Sequence, residues 1–229
     1  EQHVGDWALD QKLGFGPPAR ESGHRVAIVG GGPGGLAAAY FLRRLGHGCT
    51  IFESYAALGG MMRFGIPGYR TPKDVLDGEI KRIVDMGVEV RLGVKVGVDV
   101  ALADLERDYD SVFWAIGAQA GKPIPIPGAE APNCVDGLSF LRAFNEGRLQ
   151  HLAGRVLVIG AGDTAMDVAA VARRIGHIRS IHPHDRPENV ILGQTVHDVA
   201  TAARRQGAEV WVVYRRPIGQ APASKHELA

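Results

Sequence analysis

Gly30, Gly32 and Gly35 form the pattern G-x-G-x-x-G, and their setting matters more than the pattern. The apolar, β-branched run RVAIV at 25–29 runs straight into them and reads as a buried strand. Residues 36–45 (LAAAYFLRRL) then read as a helix that Gly46 closes at its C-terminus. Residues 49–52 read as a second strand that ends in Glu53, 23 positions after Gly30. Each part has a physical task. Gly30 makes the tight turn, Gly32 lets a pyrophosphate approach the backbone, and Gly35 lets helix and strand pack closely. Pro33 sits near the first helical turn, where a missing N–H costs little. The helix start offers free N–H groups and a positive dipole end to phosphates, and Glu53 can accept hydrogen bonds from ribose hydroxyls.

A second fingerprint lies 130 positions further on. Residues 155–159 (RVLVI) read as a strand and lead into Gly160, Gly162 and Ala165, G-x-G-x-x-A, followed by a helical stretch that ends at Gly176. Two such fingerprints in one chain predict an α/β protein with two Rossmann-like, three-layer dinucleotide-binding domains. Between them, residues 72–86 read as a helix capped by Thr71 and ended by Gly87. Residues 88–92 read as a strand, and the almost wholly apolar DSVFWAIG at 110–117 reads as a fully buried strand of a parallel sheet. Two phosphate loops and their turns account for most of the unusual glycine content, 31 of 229 residues.

Composition excludes several other classes. Lys plus Arg is 26 and Asp plus Glu is 25, for a net charge of +1, so no global basic field draws nucleic acid or an anionic membrane. No apolar run approaches the roughly 20 residues of a membrane span, and the first ten residues lack a signal-peptide core, which predicts a cytoplasmic protein. Cys49 and Cys134 cannot build a disulfide framework, a four-cysteine metal site or an iron–sulfur cluster. The absence of Cys-x-x-Cys argues against disulfide reduction. No Ser–His–Asp set and no paired-carboxylate motif is visible, so the chain offers no catalytic side chain of its own and any hydride transfer is cofactor-borne.

The segments GGGPGGLAAAYFLRRLGH, IFE, LGGMMRFGIPGYRTPKDVLDGEI and WAIGA resemble the flavin-binding half of the glutamate synthase small-subunit family. That group of two-dinucleotide-binding-domain flavoproteins includes the amino-terminal flavoprotein part of dihydropyrimidine dehydrogenase. The resemblance implies FAD at the first site. Gly30, Gly32, Pro33, Gly34 and Gly35 would hold its pyrophosphate and Glu53 the adenosine ribose. Gly60, Met61 and Arg70 would reach the flavin side, Val96 would lie near the adenine, and Ala115 and Gly117 would close the site from the WAIGA segment. Arg70 also reads as an ordinary surface arginine, and Met61 and Met62 as core fillers.

GDTAMD at 162–167 matches the same family's nicotinamide site, which implies NAD(P) on Gly160, Gly162, Asp163, Thr164 and Ala165. Asp167, one turn into the helix, reads either as part of that site or as a packing cap. The strand expected to carry the ribose-reading residue, EVWVVY at 209–214, ends in Arg215 and Arg216 rather than in an acid. Paired arginines favour a 2′-phosphate through charge-assisted hydrogen bonds, unless they are simply two solvated side chains. The chain departs from the family in an insertion at about 177–207. Residues 195–206 there read as a helix whose end, AARRQG, echoes VARRIG at 171–176 in the pattern of a local helical duplication. His182, His184 and Asp185 in the insertion read as a solvated, proline-punctuated loop rather than as metal ligands, so no metal site is expected.

The resulting layout is a lead-in at 1–23, the first part of an FAD-binding domain at 24–150 and an incomplete NAD(P)-binding domain at 151–229. In this architecture the nicotinamide domain is inserted into the FAD domain. The expectation is therefore a chain truncated at its C-terminus, with a capping-box helix start at 224–227. Family members often carry iron–sulfur cysteines upstream of a segment like VGDWAL at 4–9, and none precedes it here. That predicts a flavin subunit exchanging electrons with iron–sulfur and catalytic subunits of a larger redox enzyme. A self-sufficient NAD(P)H:acceptor reductase of ferredoxin or quinone type and a non-catalytic nucleotide-binding subunit are the alternatives.

Overall fold

The structure is a computed structural model that describes residues 2–18, 20–149, 152, 155–175, 209–215 and 220–223. It divides into two compact units. One comprises Glu1–Arg63 with Pro72–Ala118, and the other comprises Phe64–Thr71 with Gln119–Ala229. The insertion at 177–207, Arg216 and the helix start expected at 224–227 lie outside the described residues.

The first unit is built on four parallel strands in the order β3-β2-β1-β4. They are β1 (Arg25–Val29), β2 (Gly48–Glu53), β3 (Val88–Leu92) and β4 (Ser111–Trp114). Strand β1 pairs with β2 from Arg25↔Gly48 to Val29↔Phe52, and with β4 from Val26↔Ser111 to Val29↔Trp114. Successive side chains of a strand point to opposite faces, which sorts the core into two clusters. Val26, Ile28, Cys49 and Ile51 lie in one with Leu36 and Ala39 of helix α2 (Pro33–Arg44) and Leu76 and Ile80 of helix α4 (Lys73–Val84). Ala27, Val29 and Phe52 lie in the other with Leu105 of helix α5 (Leu102–Asp108) and Tyr109. Helices on both faces of a parallel sheet make the three layers that the sequence predicts. Helix α1 (Gln2–Asp10) belongs to the same unit, where the bare Cα of Gly78 makes room for Leu9.

Two details differ from the sequence expectation. Strand β4 is parallel but not buried. It covers only 111–114 at the sheet edge, and Phe113 and Trp114 are 44% and 52% exposed. An edge strand has a strand neighbour on one side only, and β4 pairs with β1 alone among the described strands. Helix α4 starts at Lys73, with Pro72 rather than Thr71 at the cap and no side-chain cap hydrogen bond. Pro72 holds a helix-compatible φ of −53° but an extended ψ of 132°, which leaves it just outside the helix.

The second unit contains helix α6 (Gly137–Asn145), strand β5 (Arg155–Ile159), helix α7 (Asp163–Ile175) and strand β6 (Glu209–Val213). Strands β5 and β6 pair in parallel from Arg155↔Glu209 to Ile159↔Val213. Leu141 and Phe144 of α6 pack with Val158 of β5 and Val168, Val171 and Ile175 of α7, the helical spacing of an apolar stripe. Asp136 caps α6 by accepting the N–H groups of Leu138 and Ser139.

The lead-in is tied to the first unit through Arg43, whose side chain is buried. Its Nε donates to the Met86 carbonyl, Nη1 donates to the His47 carbonyl, and the guanidinium pairs with Glu21 at 2.8 Å. That hydrogen-bonded guanidinium holds the Glu21 carboxyl below its ordinary range. A depressed folded pKa stabilises above the unfolded value, and the effect is lost as pH falls through the folded pKa. The gap in urea midpoint between wild type and Glu21→Gln is therefore expected to be open at neutral pH and to close as pH falls below about 4.

Candidate functional site

Both Gly-rich turns are built the same way. The N–H of Gly30 donates to the Phe52 carbonyl at 2.9 Å, and that of Gly160 to the Val213 carbonyl at 3.0 Å. The first helical bonds also correspond, Leu36 to Gly32 at 2.9 Å and Met166 to Gly162 at 3.1 Å. Both leading glycines hold positive φ, +108° at Gly30 and +132° at Gly160, a region L side chains avoid.

The first loop divides its glycines by what surrounds them. A Cβ on Gly35 would stand 1.9 Å from the Gly30 carbonyl oxygen, and one on Gly30 would stand 2.3 Å from that of Ala115. These two glycines exist for close backbone packing, and Ala115 enters the loop through its main chain. The Ala115 N–H donates to the Val29 carbonyl, and Gly117 follows with a φ of +65°. At Gly32 and Gly34 the nearest atoms to a Cβ would be 3.7 and 3.9 Å away. The outer side of the turn is thus an open cradle at the start of α2, with Pro33 in its first turn. A phosphate needs backbone N–H groups, a helix N-terminus and no side chain in the way, and the loop supplies all three.

Glu53 is buried at the end of β2. One carboxylate oxygen accepts the Gly31 N–H at 2.7 Å, and the other accepts the Ser54 hydroxyl and the Tyr55 N–H. The expected ribose-binding acid therefore also ties the loop to its strand. Each carboxylate oxygen has two acceptor sites, so beside these three donors one site, on the oxygen that accepts the Gly31 N–H, remains for a hydroxyl donor. The turn at Gly59 and Gly60 closes on the same loop. The Gly59 N–H donates to the Gly31 carbonyl at 2.8 Å, and a Cβ on Gly60 would stand 2.7 Å from the Gly32 Cα. Met61 lies half-buried on helix α3 (Gly60–Phe64). Val96 is half-buried against the Ala27, Val29 and Phe52 cluster. Gly31, Leu58 and Gly59 were not singled out from the sequence. The unbroken run Gly30-Gly31-Gly32 was the signal that a close approach is needed at Gly31, where a Cβ would stand 2.3 Å from Leu58 Cδ2.

In the second unit Asp163 and Thr164 open α7 and are exposed, and Ala165 faces Gly160. A Cβ on Gly162 would meet nothing nearer than Pro222 Cγ at 3.9 Å, so this loop is open as well. The matching hydrogen bonds to Phe52 and Val213 make Tyr214 the counterpart of Glu53. Tyr214 donates its hydroxyl to the Gln220 carbonyl, and Arg215, exposed, comes next. A tyrosine, not a carboxylate, therefore occupies this position in the second unit.

Asp167 is buried and faces the Phe64–Thr71 segment. It accepts a hydrogen bond from Arg70 Nε and stands 3.5 Å from the Tyr69 hydroxyl. Arg174, two turns along α7, lies over the Tyr69 ring at 4.0 Å, and burial pushes its pKa down. Arg70 is thus neither a loose surface arginine nor free of other duties.

The cysteines offer no redox pair in this geometry. Cys49 is buried, its thiol pushed up to about 11 by burial, and Cys134 is exposed; both are free thiols. Among the described residues no group of His, Cys, Asp and Glu could hold a metal ion, and no helix is long and apolar enough to cross a membrane.

The family model described as pyridine nucleotide-disulphide oxidoreductase matches residues 24–229. The chain belongs to that family. It is 45% identical over 183 residues to the NADP(+)-dependent formate dehydrogenase subunit beta of Moorella thermoacetica, a match covering 78% of this chain and 26% of that protein. It is 39% identical over 164 residues to the NADPH-Fe(3+) oxidoreductase subunit beta of Geobacter sulfurreducens, covering 69% and 24%. A putative glutamate synthase [NADPH] small chain of Cereibacter sphaeroides is 34% identical over 208 residues, covering 86% and 50%. The chain thus spans about a quarter to a half of the curated relatives it matches. Among solved structures it is similar to FprA, a Mycobacterium tuberculosis oxidoreductase. The TM-score is 0.67 at 25% identity, over 89% of this chain and 46% of that one.

The two kinds of glycine in the first loop give opposite expectations. Gly35→Ala forces a methyl onto a carbonyl oxygen and is expected to cost about 3 kcal/mol. Gly34→Ala meets open space inside a helix and is expected to change stability by no more than about 0.5 kcal/mol. Urea unfolding of the two variants checks both.

Proposed function

We propose that the chain is the pyridine-nucleotide-facing flavin portion of an oxidoreductase: FAD on the first loop, NADP(H) on the second, and electrons passed on to iron–sulfur and catalytic subunits. The observation that carries this reading is the pair of open Gly-rich cradles, identically hung from their sheets and differing at the ribose position. Glu53 suits hydroxyl donors. Tyr214 followed by Arg215 removes the carboxylate that would repel a 2′-phosphate and adds a cation that attracts one. Relatives whose names carry NADP(+) or NADPH support the same choice. Bound flavin supplies hydride acceptance and one-electron release. This chain's residues hold and orient. In the proposed assignment Gly30, Gly32, Pro33, Gly34 and Gly35 seat the pyrophosphate, Glu53 binds ribose, and Val96, Ala115 and Gly117 border the adenine and flavin phosphates. Gly60, Met61 and Arg70 serve the flavin side, with Asp167 neutralising Arg70. Gly160, Gly162, Asp163, Thr164 and Ala165 seat the pyridine nucleotide, and Arg215 with Arg216 reads its 2′-phosphate.

The domain layout proposed with it is a lead-in to 23, FAD-binding residues to 150 and NAD(P)-binding residues beyond. Partnership with other subunits is supported by relatives named as subunits of formate dehydrogenase and of an NADPH-Fe(3+) oxidoreductase. Use of NADPH suits a cytoplasmic setting.

The test is cofactor choice in the full-length protein. Arg215→Glu is expected to raise the KM for NADPH by ten-fold or more, about the loss of one charge-assisted pair, with a smaller effect on NADH. Equal effects on both nucleotides would place Arg215 outside the 2′-phosphate site.

A further inference from the structure

The first loop is held from outside as well as from its own strand, and the outside support passes through a residue with no assigned role. Arg63, on helix α3, is largely buried, with 17% of its side chain exposed. Its Nε donates to the Leu58 carbonyl and its Nη2 to Asp77 Oδ1 on helix α4. The Leu58–Gly60 turn that it grips is the one that rests on the loop. The Gly59 N–H donates to the Gly31 carbonyl at 2.8 Å, Leu58 fills the space beside Gly31, and Gly60 lies against Gly32. From the other side the Gly31 N–H is held by Glu53. The peptide units flanking Gly31 are thus fixed by two carriers, Glu53 on β2 and the Leu58–Gly60 turn. The turn has no regular secondary structure at Leu58 and Gly59, and Gly59 and Gly60 hold positive φ, +118° and +49°. Such a segment has many backbone states open to it, so something must select this one. Arg63 bridges it to the middle of a twelve-residue helix.

We propose that Arg63 is a positioning residue for FAD: through Leu58 and Gly59 it sets the Gly31–Gly32 peptides in the conformation that receives the pyrophosphate, with Asp77 as its anchor. This rests on the assignment of FAD to the first loop. Arg63 does not need to touch the cofactor. Its planar fork donates to a carbonyl and a carboxylate at once, which lysine's single ammonium on a flexible stem does less well.

The test measures dissociation constants for FAD and for NADP+ on full-length protein stripped of flavin, by quenching of flavin fluorescence and by calorimetry. Arg63→Met keeps the stem and removes the fork. It is expected to weaken FAD binding about tenfold, the scale of lost hydrogen bonds to a charged donor, and to leave the NADP+ constant unchanged. Arg63→Lys is expected to recover part of the loss, and Asp77→Asn to show a smaller loss. The Arg63→Met, Asp77→Asn double variant is expected to bind FAD no worse than Arg63→Met alone, because both act through one bridge. Unchanged FAD affinity in Arg63→Met overturns the proposal, as does a parallel loss of FAD and NADP+ affinity, which marks general destabilisation. If Arg63→Met does not fold, Arg63→Lys and Asp77→Asn carry the same comparison, and FAD affinity equal to wild type in both overturns it. Wild-type protein that takes up no FAD brings down the assignment of the loop, and the proposal with it.

Discussion

Helix α2 can lie over β1 as it does because Gly35 has no side chain where its Cα passes the Gly30 carbonyl. A methyl there would sit 1.9 Å from that oxygen, so the contact is between two stretches of main chain. Much of the first unit depends on it. The close approach fixes the angle at which the helix leaves the sheet, turns its first N–H groups outward over the end of β1, and brings Leu36 and Ala39 onto Ile28 and Ile51. The second unit relaxes the same constraint. Ala165 replaces the third glycine, and its Cβ lies 3.5 Å from where a Cβ on Gly160 would be, an ordinary van der Waals contact. One backbone plan therefore carries glycine at this position in the first unit and alanine in the second.

With the plan shared, the two turns differ at the residue after the hydrogen-bonded strand position. In the first unit this is Glu53, whose buried carboxylate accepts hydrogen bonds from the Gly31 N–H, the Ser54 hydroxyl and the Tyr55 N–H. In the second it is Tyr214, whose hydroxyl is engaged by Gln220, with Arg215 exposed beside it. Two turns of one shape thus differ in the residues that follow their strands, an acid in the first and a tyrosine followed by an arginine in the second. Placing different dinucleotides on them requires no further difference in fold.

Much of this was legible in the residues. β-Branched runs located β1, β2 and β5, positive-φ turns at Gly46 and Gly87 fell where the helices were expected to end, and the glycine spacing located both loops. Four things were not legible. The burial of β4 depends on which strand edge it takes, and composition does not encode that. Cap choice at α4 turned on whether Pro72 enters the helix, a matter of one ψ angle. The roles of Arg63 and Arg70 depend on partners 14 and 97 positions away, Asp77 and Asp167, and pairings at that range leave no periodic trace in sequence. Helices α1, α3, α5 and α6 also escaped the sequence reading. They run from five to nine residues, too short for a periodic pattern to declare itself.

The central claim is that the first loop holds a flavin which nicotinamide held by the second can reduce. The most direct measurement is an anaerobic titration of the full-length protein, as purified, with NADPH, followed by the flavin's visible absorbance at about 450 nm. The account predicts that the absorbance is present at about one FAD per chain and bleaches with a stoichiometric amount of NADPH. Protein that carries no flavin, or flavin that stays oxidised under excess NADPH and NADH alike, would contradict it.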